Sequence, residues 1–277
     1  MSNETPQVLT IAGADSSGGA GISADLKTFA AQGVYGANVF VALTAQNTLG
    51  VQDVLMTPPD MIWSQMQSIA DDLAIKATKT GMLGNAETVA LVAKGLQNFD
   101  FGKYVLDPVM VAKGGAKLLN PDAVAAVKSL LLPLTELVTP NIPEAEILSG
   151  QAINNRQDMQ RAAKTIQKLG AKNVLLKGGH GQSSRIEDYV LLADGTDFWL
   201  ASQRVLTART HGTGDTISAA ITAQLALGKT LDVAILNGKR YVDATIRDGI
   251  AVGHGHGPLN HGTKLVTEDT VEVLHDI

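Results

Sequence analysis

The 277-residue chain contains no cysteine. Disulfides, thiolate metal sites and a cysteine nucleophile are therefore excluded together. It has no basic excess either: 22 Lys and Arg stand against 27 Asp and Glu, a net charge of −5, which argues against nucleic acid as a general partner. No apolar run approaches the roughly 18 residues of a membrane helix. The start, Met1-Ser2-Asn3-Glu4-Thr5-Pro6, lacks a basic region, and the apolar run over 8–12 is too short for a signal core. A soluble, cytoplasmic protein without a membrane partner is expected. The full G-x-x-x-x-G-K-S/T phosphate loop is also missing, as is a Ser-His-Asp arrangement with a nucleophile elbow.

What the chain does hold is an alternation of apolar runs and amphipathic stretches. Residues 7–12 read as a strand, 22–32 as a helix and 34–45 as one or two buried strands. Pro58 and Pro59 mark a helix start, with a stripe at Met61, Gln65, Ile69 and Leu73. Strands are expected near 77–80, 103–106, 136–139 and 173–176, and helices over 86–96, 121–132, after Pro143 and over 156–169. Residues 187–193 and 197–200 read as a hairpin across Asp194-Gly195-Thr196. After Asp215 the chain reads as mostly helical, interrupted at 253–258. Crossover connections of this kind imply a mainly parallel sheet with helices on both faces. No linker, charge block or repeat divides the chain, so residues 1–277 are expected to form a single α/β domain.

Ligands of such sheets bind beyond the carboxyl ends of the strands. Polar or glycine-rich motifs fall just after predicted strands at 13–21, Gln46-Asn47, Asp107, Asn141, Lys177 and 212–215, which predicts that they converge on one edge. The stretch Arg209-Thr210-His211-Gly212-Thr213-Gly214-Asp215-Thr216 opens an Ala-rich helix. Its glycines let backbone N–H groups approach a phosphate at the positive end of the helix dipole. Asp215 there is either a helix cap or a base that takes a proton from a hydroxyl attacking that phosphate.

The other candidates also carry two readings each. Gly19-Ala20-Gly21-Ile22-Ser23-Ala24 matches a loose dinucleotide fingerprint, but the acidic residue expected about 20 positions later is missing. Asp25 in the first helix can serve as dipole compensation. Asp107 before Pro108 ends a strand as a turn residue or a metal ligand. Asn141 and Glu144 have the spacing of a capping box. Lys177, after an apolar run and before two glycines, is placed to meet an anion. His254 and His256 read as a loop rather than a metal tract, and Lys239, Arg240, Asp243, Arg247 and Asp248 as a solvated helix face.

Eight ordered motifs carry a resemblance across nearly the whole chain: LTIAGADSSGGAGISADLKTFAAQGVYG, LTAQNTLGV, TKTGMLG, LDPVMVAKGG, TPNIPEAEIL, LLKGGH, THGTGDTISAAI and VGHGHGP. The chain resembles the hydroxymethylpyrimidine and phosphomethylpyrimidine kinases of thiamine biosynthesis, within the ribokinase-like superfamily that also holds pyridoxal kinases. The resemblance implies a three-layer α/β/α fold, ATP and Mg²⁺ as cofactors, a heteroaromatic alcohol as substrate and a homodimer. It implies that Gly13, Asp25 and Gln46 bind the pyrimidine, with Met82 and Val109 as pocket walls. It further implies that Asp107, Asn141 and Glu144 organise the magnesium, that Lys177, Thr210 and Thr213 surround the nucleotide phosphates, and that Gly212, Gly214 and Asp215 form an anion hole with Asp215 as base. Related thiamine-pathway kinases commonly carry Cys in a GTGCT motif where this chain has Asp215. That departure removes a thiol able to add to pyridoxal and favours the pyrimidine alcohol.

Overall fold

A computed structural model of the chain describes residues 5–110, 119–179 and 183–275. Residues 1–4, the second half of the LDPVMVAKGG motif and His180 of LLKGGH lie outside them. Six strands run parallel at the centre, in the spatial order β2 (Tyr35–Asn47), β1 (Gln7–Ala14), β4 (Ile75–Thr80), β5 (Lys103–Leu106), β6 (Leu137–Val138) and β7 (Val174–Leu176). An antiparallel β3 (Gly50–Met56) extends one edge, and β8 (Arg185–Leu191), β9 (Asp197–Gln203) and β10 (Glu272–Leu274) extend the other. Every strand among the described residues thus joins one sheet. Central strands are buried on both faces, which is why β1 and β5 read as unbroken apolar runs rather than alternating ones.

Helices complete the three layers. One face carries α2 (Pro59–Ala70), α3 (Ala86–Asn98), α4 (Pro121–Ala126), α5 (Ile142–Ser149) and α6 (Arg156–Lys168), where Leu9, Ile62, Met66, Val92 and Ile166 share a core. The other carries α1 (Gly21–Ala31), α7 (Thr213–Ala226) and α8 (Leu231–Arg247), with Val8, Phe29, Ile217 and Ile235 in a second core. Val8 and Leu9 enter opposite cores because successive strand residues point to opposite faces. The fold is the three-layer α/β/α arrangement expected of the ribokinase-like class. Among the described residues no helix is long and apolar enough to cross a membrane.

Several sequence expectations need correction. Of the stripe expected for α2, Ile69 and Leu73 pack on the core, but Met61 is 56% exposed, Gln65 pairs with both backbone groups of Phe40, and the fully buried residues are Ile62 and Met66. Two neighbouring rows of the helix fit a four-residue spacing equally well. Most of residues 34–45 belong to one long strand, β2, whose far end from Thr44 onward runs past β1 and pairs only with the exposed β3. Among the described residues nothing helical of α type follows Pro258; a 3₁₀ turn at Glu268–Thr270 and β10 stand there instead. Lys239 and Asp243 of α8 are buried, not solvated, because Lys239 pairs with the buried Asp188 at 3.0 Å. The segment before α7 is irregular from Arg204 onward, so the glycine cradle follows a loop and not a strand. A Gly-Lys-Thr triplet does occur at Gly228-Lys229-Thr230, but it forms the turn between α7 and α8 and follows no strand.

Candidate active site

Strand ends deliver most of the predicted residues to one edge. Asp107 ends β5, and Lys177 ends β7, where its N–H donates to the Pro140 carbonyl at 2.8 Å and sets it beside Asn141 at the end of β6. Lys177 Nζ then stands 3.2 Å from Asp107 Oδ1. The Ser218 hydroxyl of α7 approaches Asp107 Oδ2 from the other side at 3.4 Å. Asn141 and Glu144 form the capping box of α5: Glu144 N–H donates to Asn141 Oδ1 at 3.0 Å, and Asn141 N–H to Glu144 Oε2 at 2.9 Å.

Charge at this edge is unbalanced. Glu144 and Asp107 are both buried, with Lys177 as their neighbouring cation. Burial lifts the Glu144 carboxyl to about 7, opposed by Lys177 and reinforced by Asp107. Burial would lower Lys177, yet Asp107 and Glu144 outweigh it and hold the ammonium protonated. Two buried hard-oxygen carboxylates sharing one ammonium suit a divalent cation. Among the described residues no three His, Cys, Asp or Glu side chains gather where they could hold a metal ion.

The cradle begins with Gly212, the N-cap of α7 at φ +81°. A side chain there would be strained, and its Cβ would stand 1.9 Å from the Gly19 carbonyl. No side chain caps the helix; the first intrahelical bond is Thr216 N–H to Gly212 O at 2.9 Å. The N–H groups of Thr213, Gly214 and Asp215 precede it and point forward as anion donors. Asp215 is therefore in the first turn and is not the cap. Gly214 faces Asp107 and Lys177, where a Cβ would be 3.4 Å from Asp107 Oδ2 and 3.5 Å from Lys177 Nζ. The Thr213 hydroxyl donates to the Thr210 carbonyl at 2.8 Å, which ties those two together.

Asp215 also meets a residue that sequence reasoning missed. Lys79 of β4 is fully buried, 2.8 Å from Asp25 Oδ1 and 3.5 Å from Asp215 Oδ1. Asp25 Oδ2 accepts from the Thr10 hydroxyl at 2.6 Å. Asp25 thus reaches the ligand space through Lys79 rather than directly. Burial pushes Asp25 up to about 7 even though Lys79 opposes it. Burial alone would lower Lys79, but the charges of Asp25, Asp215 and Asp107 raise it, so the proton stays on the amine. Asp215 is the open end of this triad, 16% exposed. Gly81 leaves room beside it: a Cβ there would lie 3.6 Å from Lys79 Nζ and 3.7 Å from Asp215 Oδ1.

On the side of the first glycine loop, Gly13 N–H donates to the Met82 carbonyl at 3.1 Å. Met82 and Val109 are half-buried, and the Val109 N–H donates to the Asp107 carbonyl at 2.8 Å. Gln46 lies in the exposed half of β2, clasped through its backbone by the Ser16 hydroxyl at 2.8 Å. Its amide reaches His211, next to the cradle, at 3.3 Å. His211 in turn lies 2.8 Å from the buried Asp15, whose carboxyl is held below its ordinary value: burial would raise it, but bonds from His211 and Ser17 prevail. The loop holding His254 and His256 closes on the β2–β3 turn, with His256 N–H donating to the Thr48 carbonyl at 2.8 Å.

Comparison with known proteins identifies the family. A profile of the phosphomethylpyrimidine kinase family matches residues 15–260. A hydroxymethylpyrimidine/phosphomethylpyrimidine kinase of Haemophilus influenzae is 53% identical over 94% of this chain and 98% of its own. The crystal structure of a phosphomethylpyrimidine kinase from Clostridium difficile superposes with a TM-score of 0.76 at 40% identity, covering 86% of this chain and 97% of that one. A Staphylococcus aureus pyridoxal kinase in complex with AMP-PCP and pyridoxal gives 0.88 at 34% identity, over 97% and 98% of the two chains.

Proposed function

The chain belongs to the phosphomethylpyrimidine kinase family, and on that premise we propose that this phosphotransferase moves the γ-phosphoryl group of ATP onto 4-amino-5-hydroxymethyl-2-methylpyrimidine, and then onto its monophosphate, for thiamine biosynthesis. The observation that carries the reading is Asp215: an aspartate in the first turn of α7, open to the ligand space, backed by Lys79 and flanked by unbonded helix N–H groups. The alcohol oxygen attacks the γ-phosphorus in line while its proton passes to Asp215. The new O–P bond forms as the bond to the β-phosphate oxygen breaks, and ADP leaves. The N–H groups of Thr213, Gly214 and Asp215, together with Lys177, offset the charge on the phosphoryl oxygens, and such positioning and electrostatics supply most of the rate enhancement in this chemistry.

Asp107 and Glu144, with Asn141 fixing the latter, would hold Mg²⁺, which supplies charge neutralisation to the bound phosphates. Gln46, Met82, Val109 and the Gly13 turn would hold the pyrimidine, and Thr210 and Thr213 would border the nucleotide. Use of ATP is supported by the AMP-PCP complex of the similar pyridoxal kinase. One sheet joining every described strand supports one catalytic domain across the chain. A cytoplasmic location goes with ATP as co-substrate. The exposed apolar residues Leu43, Leu49, Val51, Val54 and Leu55 on the β2–β3 ribbon support a homodimer through that ribbon.

Pyridoxal kinase is the second reading, because a similar protein binds pyridoxal. Parallel kinetics on the pyrimidine alcohol, pyridoxine and pyridoxal separate the two. The pyrimidine alcohol should have the highest kcat/KM, and pyridoxal, with no thiol at position 215 to capture it, should show no advantage over pyridoxine. A higher kcat/KM for pyridoxal would make the second reading the first.

A further inference from the structure

The mechanism leaves His211 without a task, although it links the glycine loop, the substrate ribbon and the anion hole. Its Nε2 is 2.8 Å from Asp15 Oδ2 and 3.3 Å from Gln46 Nε2. Its ring packs on Gly19, where a Cβ would lie 2.7 Å from Cδ2. Beyond Gln46, the Thr44 hydroxyl is 2.7 Å from the Ala14 carbonyl and 3.2 Å from Gln46 Oε1.

These distances admit one arrangement of protons. Asp15 already accepts from the N–H groups of Ser17, Gly19 and Ala20 and from the Ser17 hydroxyl, all of which favour the carboxylate. A carboxylate at 2.8 Å requires the proton on His211 Nε2. That nitrogen then has no lone pair to receive a Gln46 N–H. The Thr44 hydroxyl has a single proton, committed to the nearer Ala14 carbonyl, so towards Gln46 it can only accept. The single His211 proton is aimed at Asp15 and can be shared with an oxygen but not with an amide N–H, so His211 favours the same turn of the Gln46 amide that Thr44 requires, with Oε1 towards His211 and Nε2 towards Thr44. The two ends of an amide are nearly equal in shape, so no other atom has to move. Turned this way, Gln46 has one N–H committed to Thr44 and one oxygen lone pair facing the proton that His211 shares with Asp15, and one of each remains.

We propose that His211, held by Asp15, is a positioning residue that locks the Gln46 amide in this orientation and thereby sets the preference for an aminopyrimidine over a pyridine alcohol. An aminopyrimidine edge pairs an accepting ring nitrogen with a donating amino group and complements the remaining N–H and lone pair. A pyridine alcohol lacks that amino donor. An unlocked amide would present its donor and acceptor in either order and discriminate less. The proposal rests on the assignment of Gln46 to the pyrimidine, and the test separates the two.

Steady-state kinetics on the pyrimidine alcohol and pyridoxine would be compared for wild type, Gln46→Leu, His211→Phe, His211→Gln and the double variant Gln46→Leu/His211→Phe. Gln46→Leu should lower pyrimidine kcat/KM about 5- to 150-fold, the range for a lost hydrogen-bond partner. His211→Phe should lower the pyrimidine-to-pyridoxine ratio of kcat/KM about 5- to 10-fold, chiefly through KM. His211→Gln, which keeps a donor near the Nε2 position, should restore most of the ratio. The double variant should be no worse than Gln46→Leu alone, because the histidine acts only through the glutamine. If His211→Phe does not fold, Gly19→Ala, which crowds the same ring, carries the same expectation. Equal losses on both alcohols, or a loss that adds to that of Gln46→Leu, would overturn the positioning role. Wild-type kinetics for Gln46→Leu would overturn the assignment beneath it and the proposal with it.

Discussion

Two lysines of this chain are each buried between two aspartates. Lys79 stands 2.8 Å from Asp25 and 3.5 Å from Asp215, and Lys239 stands 3.0 Å from Asp188 and 3.6 Å from Asp243. Asp188 and Lys239 of the second group are buried between β8 and α8, where Asp188 also accepts the Gly178 N–H at 2.8 Å, and Asp243 further faces Arg247 at 4.0 Å. The first group opens at one end, through Asp215, onto the unbonded N–H groups of α7. On the proposed reading, the same constellation serves packing in one place and chemistry in the other. What separates them is a carboxylate with a path to a ligand and an anion cradle beside it.

Lys79→Met should have the largest effect, because it strands two carboxylates and removes the counter-ion of the base. A loss of about 3–5 kcal/mol in stability is expected from breaking a buried pair, together with a fall in kcat per folded molecule. Lys239→Met should cost a similar ~3–5 kcal/mol while leaving kcat per folded molecule within about threefold of wild type. Urea unfolding and turnover measured on the same preparations check both. Equal losses of turnover in the two variants would break the distinction between the groups.

Glu144 sharpens the comparison through pH. A carboxyl lifted from 4.5 to about 7 on folding holds its proton more tightly in the folded state. Its contribution is fully present below about 4.5 and is lost as the pH rises through about 7, so stability falls across that window. Glu144→Gln should flatten the fall, as read by urea unfolding at pH 5 and pH 8. Added Mg²⁺ at pH 8 should raise the melting temperature of wild type more than that of the variant, and chelation should reverse it. Lys172 gives the smallest effect and the baseline. Its ion pair with Glu136 is 2.8 Å long, but the lysine is 60% exposed, so Lys172→Ala should change stability by less than ~1 kcal/mol.

The alternation of elements was legible because central strands are apolar throughout and several helices start at proline. Asp107, Asn141 and Lys177 were legible as polar residues interrupting that pattern at strand ends, and the cradle as glycines opening an Ala-rich helix. Lys79 was not. In Ile75-Lys76-Ala77-Thr78-Lys79-Thr80 the two lysines are three apart and face opposite sides, and nothing local says that Lys76 meets solvent while Lys79 meets Asp25. The one signal was a lysine immediately upstream of the Gly81-Met82 turn. His211 was hidden by its glycine neighbours, since its partners Asp15 and Gln46 are 196 and 165 residues away. β3 and β10 escaped because their apolar residues fall in runs of only two or three and bury little, as edge strands do.

The central claim is that Asp215 takes the hydroxyl proton in the transition state and does not merely hold nucleotide or helix. Single-turnover phosphorylation of the pyrimidine alcohol by wild type and Asp215→Asn, with ATP affinity measured on both, tests it most directly. The account predicts a rate lower by roughly 10²- to 10⁴-fold in the variant with ATP binding nearly unchanged. A near-normal rate in Asp215→Asn, or a loss explained by weaker ATP binding, would contradict it.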